Sequence, residues 1–279
     1  MNRTRPFTVL ALAAGLTLSL TACGGDDDDA VTPDAPVVTA APAADAPATD
    51  APATDAPAAP TTAGGAEDPE AFCAAEMQIE AAVNMEGDPS ESIAAALAAA
   101  PADVKPALEG VIAAFEAGDR ESEAFSVPYD EMINWMSENC GYTVFDATAT
   151  EYAFAGVPDE VTAGPAIFNL TNLGEEFHEI IVFKKADGVT ESVEEILALP
   201  EEEMAAKAAF TIAAFGPPGA VAHGVGELTP GDYFAVCFLP AGATPEVMAQ
   251  MEGPESPLPE GAGAPHFTHG MVAEFTVTA

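Results

Sequence analysis

The chain has 279 residues, with 46 acidic side chains against 7 basic ones, a formal net charge of −39 and 49% hydrophobic residues. That imbalance excludes nucleic acid as a partner, because a phosphate backbone needs the opposite sign. It favours solubility and repels anions. A saline habitat, where ions screen self-repulsion, and steering toward a basic protein partner both fit it.

The first residues indicate export. Arg3 and Arg5 precede an apolar run, Phe7 to Leu20, that is too short to span a bilayer as a mature helix. This is the layout of a secretory signal peptide over residues 1–22. Its end, Leu20-Thr21-Ala22-Cys23-Gly24, resembles the lipobox of bacterial lipoproteins. That resemblance implies cleavage before Cys23 and a lipid on the cysteine, so that the chain is extracytoplasmic and held to the membrane through it. Residues 23–66 then form an expected disordered tether. It holds the four-aspartate run Asp26 to Asp29 and Pro-Ala-Thr-Asp repeats, with almost nothing apolar to bury. An extended polyproline-like stalk of this length reaches at most roughly 130 Å.

Residues 67–142 predict a small all-α domain. Asp68-Pro69 places an N-cap before a proline at the first helical position. Asp88-Pro89-Ser90-Glu91 repeats the motif with a capping-box spacing. Apolar residues then recur at helical intervals, from Phe72, Ile79 and Val83 to the face Tyr129, Met132, Ile133, Met136 and Cys140, with Gly141 as the stop. Cys73 opens this segment and Cys140 closes it, and in an oxidising compartment they are the natural disulfide pair. Cys237 is left over, and an odd thiol in an exported chain needs a reason.

Residues 143–279 switch to period-2 alternation and turn chemistry. Strands are expected at Thr143–Phe154, Ala166–Thr171, His178–Lys184, Phe210–Phe215, Val221–Leu228, Asp232–Phe238 and Met271–Thr278, with one short acidic helix within Thr190–Ala208. Many short strands with Gly/Pro turns indicate a mainly β, Greek-key β-sandwich.

Three stretches of this region carry chemistry. Asn172-Leu173-Gly174 leads into His178 at the head of an apolar strand. Pro230-Gly231-Asp232-Tyr233 leads to Cys237. His266 and Met271 stand just before the last strand. Together they resemble the cupredoxin (plastocyanin-like, blue copper) family. The resemblance implies one type 1 copper site, with His178, Cys237 and His266 equatorial and Met271 axial, and one-electron transfer with a redox partner protein. Two imidazoles, a thiolate and a weak thioether form such a site. In that family the cysteine and second histidine stand only a few residues apart, whereas here Phe238 to Pro265 intervenes. His269 is a spare imidazole, His223 reads as an ordinary polar residue, and acidic pairs such as Glu175-Glu176 read as solvated faces. A metal-free cupredoxin-like binding or structural module is the alternative. An enzyme is not expected, since no triad, His-Glu-x-x-His or phosphate loop occurs.

Replacing the lipidated residue separates anchor from signal: Cys23→Ser is expected to release the exported chain from the membrane fraction, measured by fractionation and immunoblotting. Membrane retention equal to the parent's would refute the lipid anchor.

Overall fold

A computed structural model describes residues 67–85, 87–119, 122–250 and 262–279. The expected signal peptide (1–22), Cys23 and tether (23–66) lie outside the described residues, as does the middle of the Phe238–Pro265 segment.

Four helices come first: α1 (Pro69–Asn84), α2 (Ser90–Ala99), α3 (Lys105–Glu116) and α4 (Glu123–Asn139). Asp68 caps α1, its carboxylate accepting from the Ala71 N–H at 3.0 Å. At α2 the expected capping box is absent. Pro89 takes the cap position, and Asp88 instead accepts from the Ser90 N–H and hydroxyl, one residue too early to cap the turn. Gly141, at φ 66°, ends α4 in the left-handed region where a glycine meets no steric penalty. Cys73 and Cys140 form a disulfide across a separation of 67 residues. Closing a loop of that length contributes about 4 kcal/mol in the chain-entropy view.

The remainder is the expected β-sandwich, built from two mixed sheets. One has the order β2–β1–β4–β7, from Ala153–Ala155, Thr143–Thr150, Gly164–Asn172 and Val221–Leu228. The other runs β3–β9–β8–β5–β6, from Glu160–Thr162, Val272–Thr278, Gly231–Val236, His178–Lys185 and Ala208–Gly216. Thr143–Phe154 is not one strand: it ends at Thr150 and folds back as β2, paired antiparallel to β1. Thr190–Ala208 holds two short helices, α5 (Val193–Leu197) and α6 (Glu201–Ala205), because Pro200 starts a second helix and Ala208 already pairs with Lys185. The short β3, a helical turn α7 (Pro245–Met248) and a 3₁₀ turn at His266–His269 carried no periodic signal, being too short to show one.

Between the sheets lies a core of Phe168, Leu170, Ile180, Val182, Ile212, Tyr233, Phe275 and their neighbours, including Cys237 and Met271. Each large side chain sealed there contributes about 1.5–3 kcal/mol. Both outer faces are also covered. Ile167 and Val225 join the core of α1–α4, while Ile181, Phe183, Phe234 and Val236 pack under α5. Ile180, Ile181, Val182 and Phe183 of β5 are therefore buried on both faces, which is why its sequence reads there as a continuous apolar run instead of alternating.

The helical layer buries carboxyl groups. Glu76 on α1 is 2% exposed, with Oε1 unpartnered, and burial pushes it up to about 8, helped by the nearby charge of Glu80. Burial raises Glu80 to about 6 against the hydrogen bond donated by the Tyr129 hydroxyl at 3.0 Å. On the same interface His223 lies between Asn169 Oδ1 (2.7 Å) and Asp130 Oδ1 (3.2 Å), joining β7 to α4. For both carboxyls the folded value exceeds the unfolded one, so the folded state binds more protons through this range. Their contribution is most favourable below the ordinary carboxylate range and is lost as pH rises through about 6 to 8. Urea midpoints should accordingly fall between about pH 5 and about pH 8.5, and Glu76→Gln should flatten the dependence. A slope unchanged by that substitution would assign it to other groups.

Candidate metal centre

Ladder register brings the site together. Ile181 pairs with Val236, so the head of β5 lies at the same end of the sheet as the tail of β8. Val236 pairs with Val272, so one step further Cys237 faces Met271, and the Cys237 N–H donates to the Met271 carbonyl at 3.3 Å. Side chains alternate along β5, and His178 falls on the same inward face as Ile180 and Val182.

The Asn172-Leu173-Gly174 turn aims His178. Asn172 is fully buried and spends its whole amide on the turn. Nδ2 donates to the Glu176 carbonyl (2.8 Å) and the Gly216 carbonyl (3.0 Å), and Oδ1 accepts from the Gly174 N–H (2.9 Å). Gly174 is required by close approach: a Cβ there would collide with the Glu151 carboxylate and stand 2.8 Å from His178 Nε2.

The Phe238–Pro265 excursion leaves and returns as a zipped stem. Pro240 bridges Pro265, the Ala241 N–H donates to the Ala264 carbonyl (2.9 Å), and the His266 N–H donates to the Leu239 carbonyl (2.8 Å). This stem sets His266 beside Cys237 across the long sequence gap; loop-closure cost grows only slowly with length. The Phe267 N–H donates to the Cys237 carbonyl (3.0 Å) and the Met271 N–H to the His266 carbonyl (3.2 Å), locking the turn to both ends.

His178, Cys237 and His266 are thereby brought to one point: a ring nitrogen of each histidine and the Cys237 Sγ all lie within 4.8 Å of one another. All three residues are 0% exposed. Cys237 Sγ lies 3.3 Å from His266 Nδ1, and the two imidazole centroids are 5.0 Å apart. Met271 is fully buried in the same core. His269 is exposed and outside the cluster, and His223 belongs to the helix–sheet interface.

Electrostatics keep the donors neutral until something replaces their protons. Burial lowers His178, with the neighbouring His266 adding to it, and burial lowers His266 against the pull of Glu176. Burial holds the Cys237 thiol well up, and the adjacent Glu179 carboxyl adds to that, while backbone N–H groups of Glu179 and Leu239 favour the thiolate. Glu179 is itself raised to about 7 by burial, opposed by N–H groups of Phe238 and Leu239. Both His178 ring nitrogens are buried without a hydrogen bond; Glu151 Oε1 stands 3.6 Å from Nε2, beyond hydrogen-bond reach. Buried polar atoms are rarely left so. An unpaired imidazole facing a thiol and a second imidazole, with a thioether in the same core, is a donor set that fits a type 1 copper ion.

Sequence reasoning missed Glu176, which is no solvated face. It is half-buried, and Oε2 accepts from His266 Nε2–H (3.0 Å), the Gly242 N–H (2.7 Å) and the Ala243 N–H (3.2 Å), while Oε1 accepts from the Tyr152 hydroxyl (3.2 Å). Tyr152 was missed too. Its ring lies 4.7 Å from that of His266 and stacks 4.7 Å from that of His269. No periodic or motif signal marks either residue, since their partners lie far away along the chain.

No protein-family model matches the chain, and no curated protein does. Among solved structures it is similar to dithionite-reduced auracyanin from the photosynthetic bacterium Roseiflexus castenholzii, at 20% identity over 49% of this chain and 98% of that one, TM-score 0.29. It is also similar to auracyanin A, a blue copper protein from Chloroflexus aurantiacus, at 14% identity over 50% and 100%, TM-score 0.28. Reduced rusticyanin matches at 15% over 48% and 78%, TM-score 0.26. Scores this low carry no weight for function, which rests on the geometry of the centre.

Proposed function

We propose that this chain is an extracytoplasmic electron carrier, anchored through a lipid on Cys23, in whose sandwich His178, Cys237 and His266 would hold one copper ion, with Met271 as a further, weaker donor. The observation that carries it is the convergence of two imidazoles and a thiol, all fully buried, within 4.8 Å. Copper bound there would alternate between Cu(I) and Cu(II), one electron at a time, with imidazole and soft sulfur serving both states. The chain's own part is to hold the donors fixed. The register of the five-stranded sheet places His178, Cys237 and Met271, and the stem with Glu176 places His266. Full burial excludes water, and the Cys237 proton is displaced on metal binding, so uptake strengthens as pH rises. Charge complementarity supports a basic redox partner. Among the described residues no helix is long and apolar enough to cross a membrane, and the anchor reading rests on Cys23.

A metal-free module is the second reading, favoured by the 3.3 Å contact through which Cys237 Sγ and His266 Nδ1 satisfy each other. Metal analysis and the visible spectrum decide. The full chain should take up one equivalent of copper and become intensely coloured, and Cys237→Ser should lose the colour while its circular dichroism stays native. A chain that excludes copper leaves the second reading standing.

Glu176→Ala removes the acceptor behind His266 and should weaken copper affinity by about 10–100-fold, as loss of such supporting groups generally does. Competition titration against a chelator measures it. An affinity equal to the parent's would mean the stem alone orients His266.

A further inference from the structure

With every proposed ligand fully buried, no ligand edge meets solvent, and an electron needs a way through whatever covers the centre. Around His266 the cover is Glu176, a carboxylate, and the ring of Tyr152. The Tyr152 ring lies 4.7 Å from His266 at 53° and 4.7 Å from His269 at 29°, and His269 is exposed. Three rings thus run in contact from a buried donor to the surface. The Tyr152 hydroxyl, bonded to Glu176 Oε1, pins the middle ring in place. Next to Tyr152 and Glu176 in the chain, Glu151 and Glu175 are exposed, and the Glu151 carboxylate is held by the Glu175 N–H (2.5 Å) and the Glu176 N–H (3.0 Å). A rim of fixed negative charge speeds encounter with a cation.

We infer that the His266–Tyr152–His269 ring stack is the electron exit of the centre and that the acidic surface beside Tyr152 receives a positively charged one-electron carrier. This rests on the copper reading above. In the step, one electron passes from the reduced centre to the oxidised carrier. The centre is oxidised and the carrier reduced; no bond forms or breaks, no proton moves, and Tyr152 serves as the medium without being oxidised itself.

The test compares Tyr152→Phe, Tyr152→Leu and His269→Ala in the full copper-loaded chain, reduced beforehand and mixed with tris(1,10-phenanthroline)cobalt(III), a cationic outer-sphere oxidant, in a stopped-flow instrument. Tyr152→Phe and Tyr152→Leu lose the same hydroxyl bond to Glu176, so the difference between them isolates the ring. Tyr152→Leu should react several-fold more slowly than Tyr152→Phe. His269→Ala, which touches no proposed ligand, should keep the parent's visible spectrum and also react several-fold more slowly. With the parent, the rate with the cobalt complex should fall as salt is added, and the rate with hexacyanoferrate(III), an anion, should rise. Without any metal, proton NMR should show the His269 ring resonances shifted in Tyr152→Leu and little moved in Tyr152→Phe, because only the former loses the stacked ring. Loaded variants that react at the parent's rate overturn the exit path and leave the copper reading intact. A parent chain that takes up no copper overturns both. A rate with the cationic oxidant that does not fall with added salt overturns the proposed partner chemistry.

Discussion

One carboxylate ties together parts of the chain that lie far apart in sequence. Glu176 accepts from the far nitrogen of His266, from two backbone amides of the long excursion after Cys237, and from the hydroxyl of Tyr152 beyond β1. Hydrogen bonds to an ionised acceptor are stronger than neutral ones, and backbone donors cost no side-chain entropy to order. Glu176 leads into β5 on the turn built by Asn172, so the residue that holds His266 is itself held by the segment that aims His178. The two imidazoles are thereby positioned from one support.

Around that support the sandwich confines strongly polar chemistry to a dry end. Cys237 and Met271 sit in the same core as Tyr233 and Phe275, and β5 is sealed on both faces. Burying two imidazoles, a thiol and the Glu179 carboxyl costs free energy unless each finds a partner. Glu179 finds backbone amides and Cys237 finds His266, but His178 finds none. A scaffold with about a dozen large apolar residues in its central core can carry one such deficit, at a few kcal/mol. The unsatisfied group therefore points to function more sharply than the satisfied ones.

The helical layer works through the other sheet. Ile167 and Val225 face α1–α4 while Phe168 and Leu170, their neighbours in sequence and strand, face the central core. β4, which ends at Asn172, thus transmits the packing of the helices to the turn before His178. His223, read from sequence as an ordinary polar residue, is a cross-link at this interface, and its partners come from α4 and β4.

The sequence alone determined the local features. Asp68-Pro69 started a helix, alternating and apolar runs other than Thr143–Phe154 made strands within a residue or two of their observed bounds, and the pairing of Cys73 with Cys140 followed from their positions at either end of the helices. It also offered the candidate donor set His178, Cys237, His266 and Met271, through the family resemblance of the stretches that carry them, and these are residue types that soft and borderline metals choose. Capping at Asp88 was misread because a one-residue shift in the turn lets the same carboxylate bond elsewhere. Only the tertiary structure decided whether His266 returns to Cys237 across the excursion, that Glu176 links separate segments, and that Tyr152 lies between two imidazoles. These are contacts between residues tens of positions apart, made by single side chains without periodicity. Pattern in a sequence reports which face of an element is buried, but which distant residue meets that face is set by sheet register and by loops that close in three dimensions.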